Sequence, residues 1–180
     1  NGKVLRGAHG VSGSLGHIRH PLADGFRCSC GRSGHIEAVA SGTGIVALHQ
    51  RRSGRNLVGT SGMTGSRELQ QLAEKGDPLA RSAFVESGHA LGEVIGSLAN
   101  CFDPDIIVLT GSVTLSGTRW WNSLRQGFAE QSMTLVVETP IVKGVLGGDA
   151  PLHGAATHFS SSIAPGAHEA QPGTIPPVPR

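Results

Sequence analysis

Apolar positions alternate with polar ones at the helical period over much of the chain. Leu79, Ala83, Ala90, Leu91, Val94, Ile95 and Leu98 form a broad apolar face and predict one long helix over 78–101. Asp77-Pro78 opens it as N-cap and first-turn proline, and Asp103-Pro104 stops it. Ser66 as N-cap, followed by Leu69, Leu72 and Ala73, predicts a helix over 66–75. Further helices are expected over 36–41, over 43–51 after an interruption at Gly42, over 118–131 and over 151–159. Residues 105–109 are a continuous apolar run, which fits a central parallel strand buried on both faces. Residues 134–137 and 141–145 are strand-like, and residues 1–20 read as two short strands around a glycine-rich connection at 7–13. Residues 21–34 and 53–65 read as loops. This β-α-β rhythm argues for an α/β fold.

Composition narrows the picture. The chain's 180 residues suit one domain, and 38% hydrophobic residues suffice for one core. Twenty-seven glycines exceed the usual ~7% and demand tight turns or close backbone approaches. Gly88, Gly92 and Gly96 recur every four residues on one side of the long helix, which points first to tight helix packing and second to a ligand. Trp120 and Trp121 are expected to pack, and Cys101 to be a buried free thiol at a helix end. The net charge is +2, the arginines are scattered and no aromatic-basic stripe appears, which argues against nucleic-acid binding. No apolar run approaches the ~18 residues of a membrane span. From residue 160 onward the chain carries five prolines and small residues, so 160–180 is expected to be a disordered tail.

The chemistry concentrates in His17, Cys28, Cys30 and His35. A Cys-x-Cys-x4-His pattern with a histidine eleven residues upstream supplies four nitrogen and sulfur donors. Zinc prefers such tetrahedral thiolate and imidazole sets, and a site with four protein ligands is structural. Gly25, Gly31 and Gly34 let the loop fold around an ion. The alternative is two reduced surface cysteines beside unrelated histidines. Three cysteines, two of them one residue apart, fit a reduced, cytoplasmic setting.

The stretch Gly13-Ser14-Leu15-Gly16-His17, followed by Cys28-Ser29-Cys30-Gly31-Arg32-Ser33-Gly34-His35-Ile36-Glu37-Ala38, resembles the signature of the ROK family of repressors and sugar kinases. That signature reads E-x-G-H, then C-x-C-G-x-x-G-C-x-E. Ala40-Ser41-Gly42, the segment 103–113 and the segment 146–156 resemble further family motifs. The resemblance implies the C-terminal lobe of an actin-like, ribonuclease-H-like sugar kinase, with a mixed sheet flanked by helices. It implies structural zinc on His17, Cys28, Cys30 and His35, and a sugar pocket lined by Ser14, His17 and Glu37. It also implies adenosine beside Gly111 and Ser112. Asp149, expected to cap the closing helix, falls near that nucleotide cleft. ATP and Mg2+ belong to the complete enzyme, which the resemblance makes a homodimer.

Two departures matter. His35 fills the third cysteine slot and remains a competent ligand. Ser14 fills the first glutamate slot and lacks the charge that strengthens a hydrogen bond to a hydroxyl. The second departure argues against a standard glucokinase. The runs 37–42 and 111–115 resemble the bacterial N-acetylmannosamine kinase branch. The family's phosphate loop and catalytic aspartate have no match here, so no catalytic residue is expected in this chain. Phosphoryl transfer to a sugar 6-hydroxyl by the complete protein is the first expectation, with this chain inactive alone. The alternatives are the sugar-sensing half of a ROK repressor, or a truncated non-catalytic remnant.

Overall fold

The computed structural model describes residues 4–54 and 65–163. The chain divides into two compact units, one of Asn1–Ser14 with Asp149–Arg180 and one of Leu15–Gly148.

In the first unit, residues 4–14 form turns rather than the expected strands. Gly7, Gly10 and Gly13 adopt φ values of +69, +68 and +88. These left-handed values suit glycine and interrupt an extended run. The closing helix, α6, spans Ala150–Ile163, four residues past the expected end. Asp149 lies in the 3-10 turn immediately before it. The tail expected from residue 160 lies, beyond Ile163, outside the described residues.

The second unit is mainly helical. Helices α1 (Glu37–Ala40) and α2 (Gly42–Ser53) are separated at Ser41, whose extended backbone breaks the run. Its hydroxyl accepts from the Gly44 N–H and caps α2. Helix α3 spans Gly65–Glu74; most of the loop expected before it lies outside the described residues. Helix α4 spans Pro78–Phe102, with Asp77 accepting from the Ala80 N–H at 2.8 Å. Helix α5 spans Thr118–Gln131.

Helices α4 and α5 pack backbone to backbone. A Cβ on Gly88 would fall 2.6 Å from the Trp120 carbonyl oxygen, and one on Gly92 2.1 Å from that of Leu124. Reciprocally, a Cβ on Gly127 would fall 2.2 Å from the His89 carbonyl oxygen. The glycine repeat therefore serves helix packing. Trp120, Leu124 and Phe128 enter the core beside Phe84, Ile95, Ile45 and Leu69. Trp121 stacks edge-on against Trp120, with centroids 5.3 Å apart, and donates Nε1–H to the Thr114 carbonyl.

The sheet differs from expectation. Strand β1 (Ile107–Leu109) pairs in parallel with β2 (Ile141–Lys143), and these are the named strands among the described residues. Ile107 and Leu109 pack on the core. Val108 points the other way and is 52% exposed, so β1 is covered on one face only. Residues 134–137 form turns: the N–H groups of Val136 and Val137 both bond the Met133 carbonyl. Cys101 is exposed rather than buried. Ala99 is the last core residue of α4, and a residue two positions on lies about 200° around a helix.

Candidate functional site

Residues 15–37 fold around two short antiparallel contacts. The Ile36 N–H bonds the Ile18 carbonyl at 2.8 Å, and the His20 N–H bonds the Gly34 carbonyl at 3.0 Å. These pairings, with the bridge of Arg19 to His35, bring His17 beside His35, ring centroids 5.3 Å apart. Ile36, 1% exposed, anchors the segment in a small core with Ala23, Val39, Ala90 and Val94. Between the two histidines, Cys28 to Gly31 form a β-turn closed by the Gly31 N–H on the Cys28 carbonyl at 3.0 Å. Gly31, at φ +86, directs the chain back toward Arg32, whose carbonyl accepts from the Cys28 N–H at 2.7 Å.

The four expected donors converge. Ligand atoms of His17, Cys28, Cys30 and His35 all lie within 4.8 Å of one another. His17 Nδ1 is 3.4 Å from Cys28 Sγ, and His35 Nδ1 is 3.3 Å from Cys30 Sγ. Zn–S near 2.3 Å and Zn–N near 2.0 Å at a tetrahedral angle place sulfur and nitrogen about 3.5 Å apart. The donor set thus fits a structural zinc ion. The Cys28 thiol is lowered to about 6. The main cause is a backbone hydrogen bond from Cys30; His35, Cys30 and His17 side chains add to it, against the cost of desolvation. These hydrogen bonds favour the Cys28 thiolate, the form that ligates metal.

Glu37, the first residue of α1, stands against this cluster. Its Oε2 lies 3.8 Å from His17 Nδ1 and 3.9 Å from Cys28 Sγ. The Ser29 hydroxyl donates to its Oε1 at 2.8 Å. A Cβ on Gly16 would meet Glu37 Cβ and Oε2 at 3.3 Å, so the glycine before His17 leaves this carboxylate its room. His17 and Glu37 side chains are 39% and 38% exposed, and a solute can reach both.

The other expected residues fall elsewhere. Gly111 and Ser112 are exposed, at the start of the 3-10 turn Ser112–Leu115 that follows β1. Gly111 adopts φ +92, and Ser112 Oγ would sit 3.8 Å from a Cβ on Gly42 at the start of α2. Ser14 belongs to the first unit, where its N–H bonds the Val11 carbonyl at 3.1 Å.

Two features were not anticipated. Ser29 touches Glu37, which its place between the cysteines could have suggested. A polar chain also links the loop to the helix pair. The Leu22 N–H donates to His20 Nδ1, so His20 donates Nε2–H to Glu93 Oε2 at 2.9 Å. His89 Nε2 pairs with Glu130 Oε2 at 2.9 Å. No spacing in the sequence signals these contacts. The Glu130 carboxyl is held below its ordinary range by Gln126 first and His89 second.

The fold and this site define a helical lobe with a small parallel sheet and a two-cysteine, two-histidine metal cradle beside an accessible carboxylate. The chain belongs to the ROK family, whose family model matches residues 1–161. It is 29% identical over 162 residues to a glucokinase of Halalkalibacterium halodurans, covering 86% of this chain and 49% of that protein. It is 38% identical over 117 residues to an N-acetylmannosamine kinase of Shigella boydii, covering 64% and 36%. Among solved structures, the ROK hexokinase of Thermus thermophilus superposes with a TM-score of 0.74 at 30% identity, covering 89% of this chain and 52% of that one. A ROK family transcriptional regulator, a homologue of the E. coli MLC protein, gives 0.63 at 31% identity, covering 79% and 37%. The chain spans about half, or less, of the length of these relatives. Among the described residues, no helix is long and apolar enough to cross a membrane.

Proposed function

We propose that this chain is the zinc-braced, sugar-binding half of an ATP-dependent ROK sugar kinase. The substrate class is a hexose or N-acetylmannosamine, phosphorylated at the 6-hydroxyl. The observation that carries the reading is the accessible Glu37 carboxylate held against the His17, Cys28, Cys30 and His35 cluster, in a chain resembling sugar kinases.

Each residue then has a task. His17, Cys28, Cys30 and His35 would hold zinc, which would brace the loop and supply no catalytic chemistry, because all four positions would be protein ligands. His17 Nδ1 faces Cys28 Sγ and would hold the ion, which would leave Nε2, on the far side of the ring, for a sugar hydroxyl. Glu37 accepts from one or two sugar hydroxyls, and charge-assisted bonds of this kind are the strong ones. Gly111 and Ser112, at the end of a parallel strand, receive the adenosine, since α/β folds bind ligands outside strand carboxyl ends. The general base that takes the proton from the sugar 6-hydroxyl comes from the other half of the complete protein, as does the phosphate loop.

The test is binding without turnover. Isothermal titration of the purified chain with N-acetylmannosamine and glucose should show saturable binding that Glu37→Gln abolishes. ATP hydrolysis above background with either sugar would contradict the assignment of the base to the other half.

A second reading has its own support, the likeness to the ROK transcriptional regulator. In it the same pocket senses a sugar and no phosphate is transferred. The coding sequence upstream decides between them: a catalytic aspartate supports the kinase, and a helix-turn-helix supports the repressor.

A further inference from the structure

Of the metal-loop side chains that reach the carboxylate assigned above to sugar, Ser29 makes the shortest contact, 2.8 Å against 3.8 Å for His17 and 3.9 Å for Cys28. It occupies the first central position of the Cys28 to Gly31 turn, with a metal-capable donor on either side. An ion that holds Cys28 and Cys30 therefore fixes the Ser29 backbone from both flanks. Its hydroxyl donates to Glu37 Oε1 at 2.8 Å, a hydroxyl-to-carboxylate bond of ordinary length for a neutral donor and a charged acceptor. The remaining contacts of Glu37 with the loop, 3.8 Å to His17 and 3.9 Å to Cys28, are longer.

Glutamate has three rotatable bonds and loses much rotamer freedom when it is held. Ser29 is exposed, so it fills no core and its hydroxyl has no packing role. What it does is tie one carboxylate oxygen to the turn and leave the remaining lone pairs for another donor.

We propose that Ser29 is a positioning residue that transmits metal occupancy of the loop to the Glu37 carboxylate, and so sets its orientation for a sugar hydroxyl. The sugar part rests on the function proposed above; the link from metal to carboxylate does not. With the ion in place the turn is rigid, Ser29 is fixed and Glu37 is held. Without the ion the turn relaxes, the bond is lost and the carboxylate swings among its rotamers. A carboxylate held in advance needs less ordering when ligand arrives, which is why the link matters for affinity.

The experiment uses the full 180-residue chain with glutamate carboxylate carbons labelled with 13C, the Glu37 signal being assigned by its loss in Glu37→Gln. The parent, Ser29→Ala and Ser29→Thr are compared zinc-loaded and after chelation, with metal content measured for each. The expected result is about one zinc in all three. Chelation moves the Glu37 carboxylate signal in the parent and in Ser29→Thr, which keeps the hydroxyl. In Ser29→Ala the signal sits near the chelated position throughout. A Glu37 signal that responds to chelation in Ser29→Ala as it does in the parent overturns the proposal. So does a parent whose signal ignores chelation, or a parent that takes up no zinc. Loss of zinc from Ser29→Ala would also overturn it, because Ser29 would then act on the metal and not on Glu37. Sugar titration of the same samples should show affinity about fivefold weaker in Ser29→Ala and retained in Ser29→Thr, the scale of one lost hydrogen bond. Absence of sugar binding in every sample would sink the sugar role of Glu37 while the carbon signal still decides the role of Ser29.

Discussion

Gly92→Ala is the substitution whose outcome the helix packing dictates most sharply. The added Cβ would lie 2.1 Å from the Leu124 carbonyl oxygen and 2.7 Å from the Phe128 nitrogen, whereas ordinary contact begins at 3.4 Å. Both atoms belong to the α5 backbone, so no rotamer change relieves the clash. The helices must separate by about 1 Å, and a gap of that size forfeits a quarter to a half of the dispersion well of each facing contact. Overpacking of this kind costs about 1–3 kcal/mol. Replacing a mid-helix glycine by alanine returns up to ~1 kcal/mol of helix propensity. A 2.1 Å approach to backbone puts the cost at the upper end, about 3 kcal/mol, so the net expectation is a loss of about 2 kcal/mol, or ~4–8 °C in Tm for a chain of this size. Gly42→Ala is the control, because its Cβ would meet nothing nearer than Ser112 Oγ at 3.8 Å. Urea denaturation should show a lower midpoint with an unchanged slope for Gly92→Ala and little change for Gly42→Ala. Equal midpoints for the two variants would refute the claim that this repeat exists for helix packing.

Other expectations follow from single contacts. Asp77→Ala removes the acceptor of the Ala80 N–H at the start of α4 and should cost about 1 kcal/mol in urea denaturation. Glu86 pairs with Arg52 across α2 and α4. Burial raises its carboxyl, but the Arg52 and Ser82 hydrogen bonds overcome that and hold it below its ordinary value of 4.5. The pair therefore contributes fully above pH 4.5 and loses its contribution as pH falls through the lowered folded-state value. Glu86→Gln should flatten the acid limb of a stability–pH curve; an unchanged limb would mean the pair adds nothing. Cys28→Ser should leave the chain with only trace zinc and lower its melting temperature, because binding free energy at a structural site adds to folding free energy.

The helices were legible because each is marked locally. Asp77-Pro78 signals the start of α4, and Asp103-Pro104 its end. The break was expected at Gly42 and falls one residue earlier, at Ser41, whose side chain caps α2, so that Gly42 is the first residue of that helix. The metal donors were legible because their spacing is short and chemically restricted. The strands were not. Residues 134–137 have strand composition but no ladder partner, and only Val136 among them is buried. Val108 reads as a buried position, yet with β1 and β2 alone its face has no cover among the described residues. Cys101 was misplaced by residue type, which says nothing about the side of a helix end a residue occupies. The His20 and Glu93 contact joins residues 73 positions apart and depends on tertiary packing that no local pattern encodes.

On the proposed reading, His17, Cys28, Cys30 and His35 hold a structural zinc beside Glu37. X-ray absorption at the zinc edge of the purified chain tests it most directly. About one zinc per chain is expected, with two sulfur neighbours near 2.3 Å and two nitrogen neighbours near 2.0 Å. Trace metal, or a first shell dominated by oxygen, would contradict it.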